Sequence, residues 1–369
     1  MGNQPSLVAS FYPTNPSSGS STTLMADASV PRNHADAPLP AFATLTHKEM
    51  NNRVHREFTQ LSKLDDDVGR HATFNVSRSQ EHAALNRYYD ILANDDTLFP
   101  PISATDPATA AAPRPPAYIN GNLISRRLFD TPHDFVACQA PLPEQFHGFW
   151  HTVFTSRTSL IIMLTREFEG GRVKAHRYWP TATEGPWELT GHGLPAVRVT
   201  ALGANAQVEG HPDIQTTTIS VACSGEDPRT VRVVQYTGWP DFGVPDRPEA
   251  IQRLLDIIHE AVPLSGSIPS GGPPHVAEGP IFVHCSAGVG RTGTLLSAYV
   301  LHHLFRKGQE PTTAPSPRLA DDSVFRVVST LKWQRRGMVQ RKEQYAFIYA
   351  CARALLSAPL DLPSSEPSL

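Results

Sequence analysis

A ten-residue stretch reading HCSAGVGRTG, residues 284–293, holds the residues whose types and spacing could do chemistry. Cys285 opens a glycine-rich turn and Arg291 closes it, with five residues between them. An apolar run precedes the stretch and a helix-compatible run follows it, which indicates a strand, a turn and a helix. Such a turn directs backbone N–H groups inward in front of a helix N-terminus, and that arrangement binds phosphate-like oxyanions.

The same turn predicts that Cys285 is a reactive nucleophile. The N–H groups, the helix dipole and the Arg291 guanidinium all favour the thiolate over the thiol. A nucleophile and an anion cradle in one loop imply phosphoryl transfer to cysteine. The competing interpretation is a buried structural cysteine in a glycine-rich turn, which the full string disfavours. The predicted cradle consists of Arg291 with the backbone of Ser286, Ala287, Gly288, Val289 and Gly290.

The composition narrows the class of protein. The chain has 369 residues, 40% hydrophobic and 18% charged, enough for a substantial core in one large or two ordinary domains. Its net charge of −3 argues against a general nucleic-acid binder. Four widely spaced cysteines without a CxxC pair favour free thiols in a reducing compartment over disulfides or a zinc site. We therefore expect a cytoplasmic protein that needs no metal or cofactor.

The N-terminus carries one targeting pattern. Residues 1–6, MGNQPS, fit N-myristoylation at Gly2, although so short a pattern also matches by chance. No basic cluster follows to supply a second anchor, so an acyl chain here would bind membranes weakly. No apolar stretch approaches membrane-spanning length, and no secretory signal opens the chain.

The patterning predicts one α/β domain between two tails. Residues 1–45 are rich in Pro, Ser, Ala and Asn without periodicity, which is typical of disorder, and residues 357–369 form a second polar tail. Residues 46–356 show no composition shift, and their β-rich middle between helices predicts a single α/β domain with a mixed, twisted sheet. Pro-rich inserts are predicted near residues 94–116, 264–279 and 310–319.

Hydrophobic periodicity predicts where the elements lie. Helices are predicted over residues 46–68, 146–155, 248–261, 294–305, 322–335 and 341–356. Strands are predicted over residues 118–120, 135–138, 159–164, 173–179, 196–202, 213–223, 230–236 and 280–283, with a hairpin turn at Gly170 and Gly171.

Several motifs resemble the phosphotyrosine-specific class of cysteine-dependent protein tyrosine phosphatases. The resemblance covers about residues 46–356 and implies a single catalytic domain of the non-receptor type with a highly twisted mixed sheet. Residues 239–245, WPDFGVP, are similar to the family's mobile acid loop. This implies that Asp241 protonates the leaving tyrosyl oxygen and later accepts a proton from water. Phe242 would then contact substrate, and Trp239 would support the loop.

Residues 86–90, NRYYD, resemble the phosphotyrosine-recognition loop of that family. The resemblance implies that Tyr88 stacks on the substrate ring, so that the depth of the cleft excludes the shorter phosphoserine. Asp90 would accept hydrogen bonds from the substrate backbone. The alternative is that Tyr88 and Tyr89 are ordinary packing aromatics.

Residues 340–344, QRKEQ, resemble the loop that positions the hydrolytic water. An amide both donates and accepts, which suits Gln340 above all, and also Gln344, for this role. The alternative is that the two glutamines are polar helix caps. Gly337 matches a position that is small where the mouth of the cleft is open.

Four further residues would support the site by resemblance. Glu169 would pair with Arg291 and hold its guanidinium flat, and Lys174 would lie near the acid. On sequence alone, a solvated hairpin explains these two equally well. His284 would tie the cysteine loop in place, and Thr292 would donate a hydrogen bond to Cys285.

These residues together imply hydrolysis of phosphotyrosine in protein substrates. The reaction would have two steps, a phospho-Cys285 intermediate and its hydrolysis, in a monomer that acts in signalling. Three rivals remain: a dual-specificity phosphatase, a catalytically inactive phosphotyrosine-binding module and a rhodanese-like sulfurtransferase. Tyr88 and Gln340 argue against the first, the intact Cys285, Arg291 and Asp241 against the second, and the acid loop against the third.

Overall fold

The computed structural model describes residues 40–102, 117–191, 193–240, 243–245, 248–261, 279–306 and 323–357. The helices are α1 His47–His71, α2 Asn75–Arg78, α3 Phe146–Thr155, α4 Pro248–Glu260, α5 Gly290–Arg306, α6 Ser323–Gln334 and α7 Lys342–Ser357. The strands are β1 Gly121–Ile124, β2 Phe135–Cys138, β3 Leu160–Met163, β4 Phe168–Glu169, β5 Arg172–Val173, β6 Trp187–Gly191, β7 Leu194–Ala201, β8 Ala206–Val208, β9 His211–Cys223, β10 Arg229–Tyr236 and β11 Ile281–His284.

Nine of the described strands form one mixed sheet, which confirms the predicted α/β class. Their order is β1-β2-β11-β3-β10-β9-β7-β6, with β8 paired to β9, while β4 and β5 form a separate hairpin. In the centre, β11 runs parallel to both β2 and β3. Every residue of β2, β3 and β11 is buried, as expected for parallel strands covered on both faces. The chain therefore delivers Cys285 at the carboxyl end of a central strand.

Helices cover the two faces of the sheet unequally. Side chains of a strand alternate between faces, so Ile281 and Val283 pack with α1, α4, α5, α6 and α7, whereas Phe282 packs with α3. Helix α1 begins with a capping box, in which Thr46 N donates to Glu49 Oε2 at 2.8 Å. None of the described helices is long and apolar enough to cross a membrane.

The helix after the cysteine loop begins earlier than predicted. The periodicity starts at Thr294, but α5 begins at Gly290, inside the glycine-rich turn. The reason is that glycines at 290 and 293 carry no hydrophobic signal, although the backbone there is already helical. The helix N-terminus consequently lies closer to Cys285 than the sequence suggested.

Two predicted strands differ in the structure. Residues 118–120 are irregular and β1 starts at Gly121. The side chains of Tyr118 and Asn120 both donate to Asn86 Oδ1, at 2.6 and 2.8 Å. The strand predicted over 173–179 stops at Val173, and Trp150 Nε1 donates to Tyr178 O at 2.6 Å where a strand partner would bond. Strands β6 and β8 were missed because they are largely exposed and weakly patterned.

The domain begins before residue 46, the boundary that the sequence predicted between the N-terminal tail and the domain. Residues 41–44 form a short 3₁₀ turn, and Phe42 is fully buried against Tyr349, with ring centroids 5.3 Å apart. The insert predicted at 94–116 is ordered at its start, where Asn94 and Leu98 are buried. Residues 1–39, 103–116, 264–278, 310–319 and 358–369, with Gly2, lie outside the described residues.

Candidate active site

His284 fixes the start of the cysteine loop. It is fully buried at the end of β11, where Nδ1 donates to the Cys285 carbonyl at 2.9 Å and Nε2 accepts from the Tyr178 hydroxyl at 2.8 Å. Burial lowers the pKa of His284 to about 4, so the ring is neutral and this pair of one donor and one acceptor suits it. The predicted tie to the loop backbone is present, with Tyr178 as a partner that the sequence did not indicate.

The Cys285 thiol lies on the floor of the loop and is 5% exposed. Burial alone would raise the pKa of this thiol, but the Thr292 side chain, the Arg291 charge and the backbone N–H groups of Thr292 and Val289 hold it below the ordinary value. The fully buried Thr292 hydroxyl has no other hydrogen-bond partner among the described residues, so its hydrogen is free for the thiolate. The loop therefore favours an ionised nucleophile.

Thr292→Val is expected to shift the alkylation profile of Cys285 to higher pH. Valine keeps the shape of threonine but cannot donate to the thiolate, so the pKa of Cys285 should rise toward its ordinary value. We would measure the rate of inactivation of both proteins by iodoacetamide as a function of pH, over a range of about five pH units around the titration of the thiol. Superimposable profiles would show that the Thr292 hydroxyl does not stabilise the thiolate.

Arg291 is held by a bidentate carboxylate. Its Nη1 donates to Glu169 Oε1 at 2.8 Å and its Nη2 to Glu169 Oε2 at 2.6 Å, and Nη1 also donates to Leu164 O at 3.0 Å. Both side chains of the pair are less than 10% exposed. Glu169 sits at the tip of the β4–β5 hairpin, where Thr165 and Arg166 also donate to it. This geometry is the pairing that the family resemblance implies, and it orients the guanidinium toward the loop.

Glycine is required at two points around the loop. Gly288 has φ of +72°, and a Cβ added there would lie 1.9 Å from the carbonyl oxygen of Cys138. A Cβ at Gly293 would lie 2.5 Å from the backbone nitrogen of Val339. The left-handed conformation and the close approach exclude any other residue at Gly288. Neighbouring backbone thus packs directly against the loop on two sides.

Arg335 supports the cysteine loop with more hydrogen bonds than any other described residue that the sequence analysis missed. Its side chain is fully buried and donates to the carbonyls of Ala287 and Gly288 at 3.0 and 2.9 Å, and to Asn120 Oδ1 and Asn122 Oδ1 at 2.8 Å each. By binding the loop carbonyls from behind, it leaves the N–H groups pointing to the other side. Burial lowers the pKa of Arg335 to about 10, so it remains charged at neutral pH. The sequence analysis found no signal for this role of Arg335, because its partners lie far away in the chain.

Tyr88 is brought to the cysteine loop. The Ser286 hydroxyl donates to Lys174 O at 2.6 Å, so it accepts from the Tyr88 hydroxyl, 2.8 Å away. Arg87 anchors the same segment, since its backbone N–H donates to Gln139 Oε1 at 2.8 Å and its guanidinium to Ala140 O at 3.0 Å. Tyr88 is half-buried, while Tyr89 is 92% exposed.

Asp90, Lys174 and Trp239, which were also predicted for the site, differ in exposure and contacts. Asp90 is exposed on the loop of Tyr88. Lys174 supplies its carbonyl to Ser286, and its side chain is half-buried. Trp239 is 1% exposed and its Nε1 donates to Gly243 O at 3.0 Å, which closes the base of the acid loop. Asp241 and Phe242 lie outside the described residues.

The two glutamines have different environments. Gln344 is buried, and its Oε1 accepts from the backbone N–H groups of Gln340 and Arg341, at 3.0 and 3.2 Å. It therefore caps the start of α7, which is the alternative that the sequence left open. Gln340 has an exposed side chain beside Gly290, so its amide is available at the mouth of the site.

The donor set does not form a metal centre. Within the described ranges, no group of three or more His, Cys, Asp or Glu side chains could hold a metal ion. All four cysteines are free thiols. Burial raises the pKa of Cys138 and of Cys351 to about 12, in contrast to the lowered pKa of Cys285. Cys285 is thus the one cysteine whose surroundings stabilise a thiolate.

Known proteins match this chain over most of its length. The family model for protein-tyrosine phosphatases matches residues 82–354. Human tyrosine-protein phosphatase non-receptor type 18 is 33% identical over 274 residues, which is 73% of this chain and 50% of that protein. Tyrosine-protein phosphatase 3 of Dictyostelium discoideum is 30% identical over 320 residues, which is 85% of this chain and 27% of that protein.

Solved structures of protein tyrosine phosphatases are also similar to this chain. A protein tyrosine phosphatase of Trypanosoma cruzi is 35% identical with a TM-score of 0.69, over 87% of this chain and 98% of that one. The catalytic domain of the human type 18 enzyme has a TM-score of 0.63 at 29% identity, over 82% of this chain and 96% of that one. The chain spans half or less of the two curated relatives but nearly all of the two solved chains. The chain belongs to the protein-tyrosine phosphatase family and contains the catalytic domain of that family.

Proposed function

We propose that this protein hydrolyses phosphotyrosine in protein substrates through a phospho-Cys285 intermediate. The observation that carries the proposal is the convergence of three parts on one loop. Cys285 has a lowered pKa, Arg291 is oriented by Glu169, and Tyr88 is tied to the loop through Ser286. A nucleophile, a phosphate clamp and an aromatic wall at a fixed depth suit an aryl phosphate.

The first step forms an S–P bond and breaks the P–O bond to tyrosine. The Cys285 thiolate attacks phosphorus while Arg291 and the loop N–H groups bind the equatorial oxygens, where negative charge is spread. Asp241 gives its proton to the leaving tyrosyl oxygen, which departs as neutral tyrosine. The Thr292 hydroxyl and the helix dipole stabilise the Cys285 thiolate before the attack and again when the S–P bond breaks.

The second step breaks the S–P bond. A water molecule, oriented by Gln340, attacks phosphorus, and the Asp241 carboxylate accepts a proton from that water. Inorganic phosphate leaves and Cys285 is restored as the thiolate. Gln344 serves this step indirectly, because its carbonyl oxygen binds the backbone N–H of Gln340.

Phosphotyrosine proteins of signalling pathways are the proposed substrates. Structures of the type 18 relative contain HER2 phosphopeptides, and the same recognition chemistry would serve this chain. Four free thiols suit a reducing compartment, so we propose a cytoplasmic location. Microscopy of a fluorescent fusion protein in cells would test the location. Fluorescence confined to the interior of an organelle would contradict it.

The test of specificity compares Tyr88→Ala with the matched control Tyr89→Ala. Tyr88 contacts Ser286 in the loop, whereas Tyr89 is almost fully exposed, so only the first should weaken kcat/KM on a phosphotyrosine peptide, by about tenfold or more for loss of an aromatic contact. A phosphothreonine peptide of the same sequence should be turned over negligibly by the wild type.

Two results would favour the rival functions. Comparable wild-type rates on phosphotyrosine and phosphothreonine would identify a dual-specificity phosphatase. No turnover of p-nitrophenyl phosphate by the reduced protein, with phosphotyrosine binding retained, would identify an inactive binding module.

A further inference from the structure

The turn between α6 and α7 is strained. Gly337 has φ of +85° and Val339 has φ of +59°, so two of three consecutive residues are left-handed. For a β-branched residue such as Val339 this conformation is a genuine outlier of the backbone. The surrounding structure must hold the turn in place, and the next residue after it is Gln340.

Two hydrogen bonds hold this turn from opposite sides. On the side of the cysteine loop, Val339 N donates to Val289 O at 3.1 Å. On the far side, Gly337 N donates to the Asp65 carboxylate at 3.0 Å. Asp65 belongs to α1, and it is separated from Gly337 by 272 residues. The turn is therefore braced between the phosphate loop and a helix from the start of the domain.

Asp65 is well placed to act as a brace. Its second carboxylate oxygen accepts from Lys332 Nζ at 2.5 Å, and its backbone carbonyl accepts from Arg336 Nε at 3.1 Å. The Lys332 side chain is 2% exposed and that of Asp65 is 24% exposed. The buried ammonium of Lys332 fixes the orientation of the Asp65 carboxylate. The hydrogen bond from Gly337 N to that carboxylate is charge-assisted, because the acceptor is ionised. The carboxylate of Asp67, two residues further along α1, pairs with Arg70 at the surface.

We propose that Asp65 is a positioning residue for hydrolysis of the phosphocysteine, an inference that rests on the proposed function. By holding Gly337 it fixes the turn that presents Gln340 to the attacking water. The phosphate loop also has a support of its own, because Arg335 binds the carbonyls of Ala287 and Gly288. Loss of Asp65 should therefore slow the second chemical step and spare the first.

The experiment must separate the Gly337 bond from the ion pair. Asp65→Ala alone would strand the buried Lys332 charge, which is strongly destabilising. The comparison is therefore Lys332→Met, which keeps the Asp65–Gly337 bond, against Asp65→Ala/Lys332→Met, which removes it. Asp65→Asn/Lys332→Met restores an acceptor for Gly337 N and is the rescue variant. Asp67→Ala is the control for altered charge on α1, and melting midpoints establish that each protein is folded.

Stopped-flow release of p-nitrophenol from p-nitrophenyl phosphate reports both steps. In Asp65→Ala/Lys332→Met we expect an unchanged first-turnover rate, a larger burst and a steady-state rate lowered about three- to tenfold relative to Lys332→Met, as for loss of one hydrogen bond. Acid-quenched samples should contain correspondingly more phosphocysteine. Asp65→Asn/Lys332→Met should behave like Lys332→Met, and Asp67→Ala like the wild type.

Two outcomes would overturn the inference alone. One is identical kinetics in Lys332→Met and Asp65→Ala/Lys332→Met, and the other is an equal loss of first-turnover and steady-state rates, which is the signature of general destabilisation. A wild-type protein that forms neither nitrophenol nor phosphocysteine would instead overturn the proposed function, and this inference with it.

Discussion

Cys285→Ser is expected to abolish turnover of p-nitrophenyl phosphate and phosphotyrosine peptides while leaving phosphate binding intact. The loop lowers the pKa of the Cys285 thiol, whereas the pKa of a serine hydroxyl starts so much higher that the same groups leave the hydroxyl neutral. The anion cradle is unchanged, because Arg291 remains paired with Glu169 and Arg335 remains bound to the loop carbonyls. Steady-state kinetics and calorimetric titration with inorganic phosphate would measure the two properties.

Cys351→Ser is the matched control for this substitution. Cys351 is also buried, but burial raises its pKa to about 12 and it lies on α7 outside the cysteine loop. We expect this variant to keep wild-type turnover. Residual activity of Cys285→Ser above the background rate, in protein free of wild-type contamination, would require a different nucleophile and would remove the basis of the proposed mechanism.

Asp241→Ala is expected to lower kcat on phosphotyrosine peptides by about 10²–10⁴, the range for loss of a general acid. The described residues on either side of Asp241 are joined by the bond from Trp239 Nε1 to Gly243 O, so we expect the substitution to leave the fold unchanged. Without the proton donor the substrate still binds, but the P–O bond to tyrosine breaks slowly, so the complex with substrate persists. The variant should therefore capture tyrosine-phosphorylated proteins from a cell lysate, and phosphate-free tyrosine peptides should not compete.

The pH profile provides a second measure of Asp241. The reaction needs a protonated acid and an ionised Cys285 at once, so kcat/KM of the wild type should be bell-shaped. In Asp241→Ala the alkaline limb should disappear, because no acid remains to be deprotonated, while the acid limb from Cys285 persists. Asp246→Ala changes a carboxylate in the same segment and should keep the bell. An Asp241→Ala protein with wild-type turnover would assign the acid to another residue.

Local patterns predicted the centre of the site because its geometry is local. The buried run before Cys285 becomes β11, and the glycines that follow allow the left-handed Gly288 and the early start of α5. Strand and helix propensities of neighbouring residues predict the order of strand, turn and helix, although not the residue at which α5 begins. The same holds for the hairpin at Gly170 and Gly171, which are both left-handed in the structure.

The contacts of Gln344 and Tyr88 needed the tertiary structure. On sequence alone each had two interpretations, a chemical one and a packing one. Gln344 is a buried cap whose carbonyl oxygen is already used by two backbone donors, whereas Tyr88 reaches the loop through Ser286. A side chain of either type is compatible with either environment, so only its neighbours decide.

The cysteine loop HCSAGVGRTG by itself predicted an oxyanion site beside a reactive thiol, since all the necessary groups lie within ten residues. Only the tertiary structure decided how that loop is held. Arg291 meets Glu169 across 122 residues, Arg335 meets Asn122 across 213, and Gly337 meets Asp65 across 272. No periodicity links positions so far apart, because such contacts arise from the packing of the sheet and helices and not from local backbone preference.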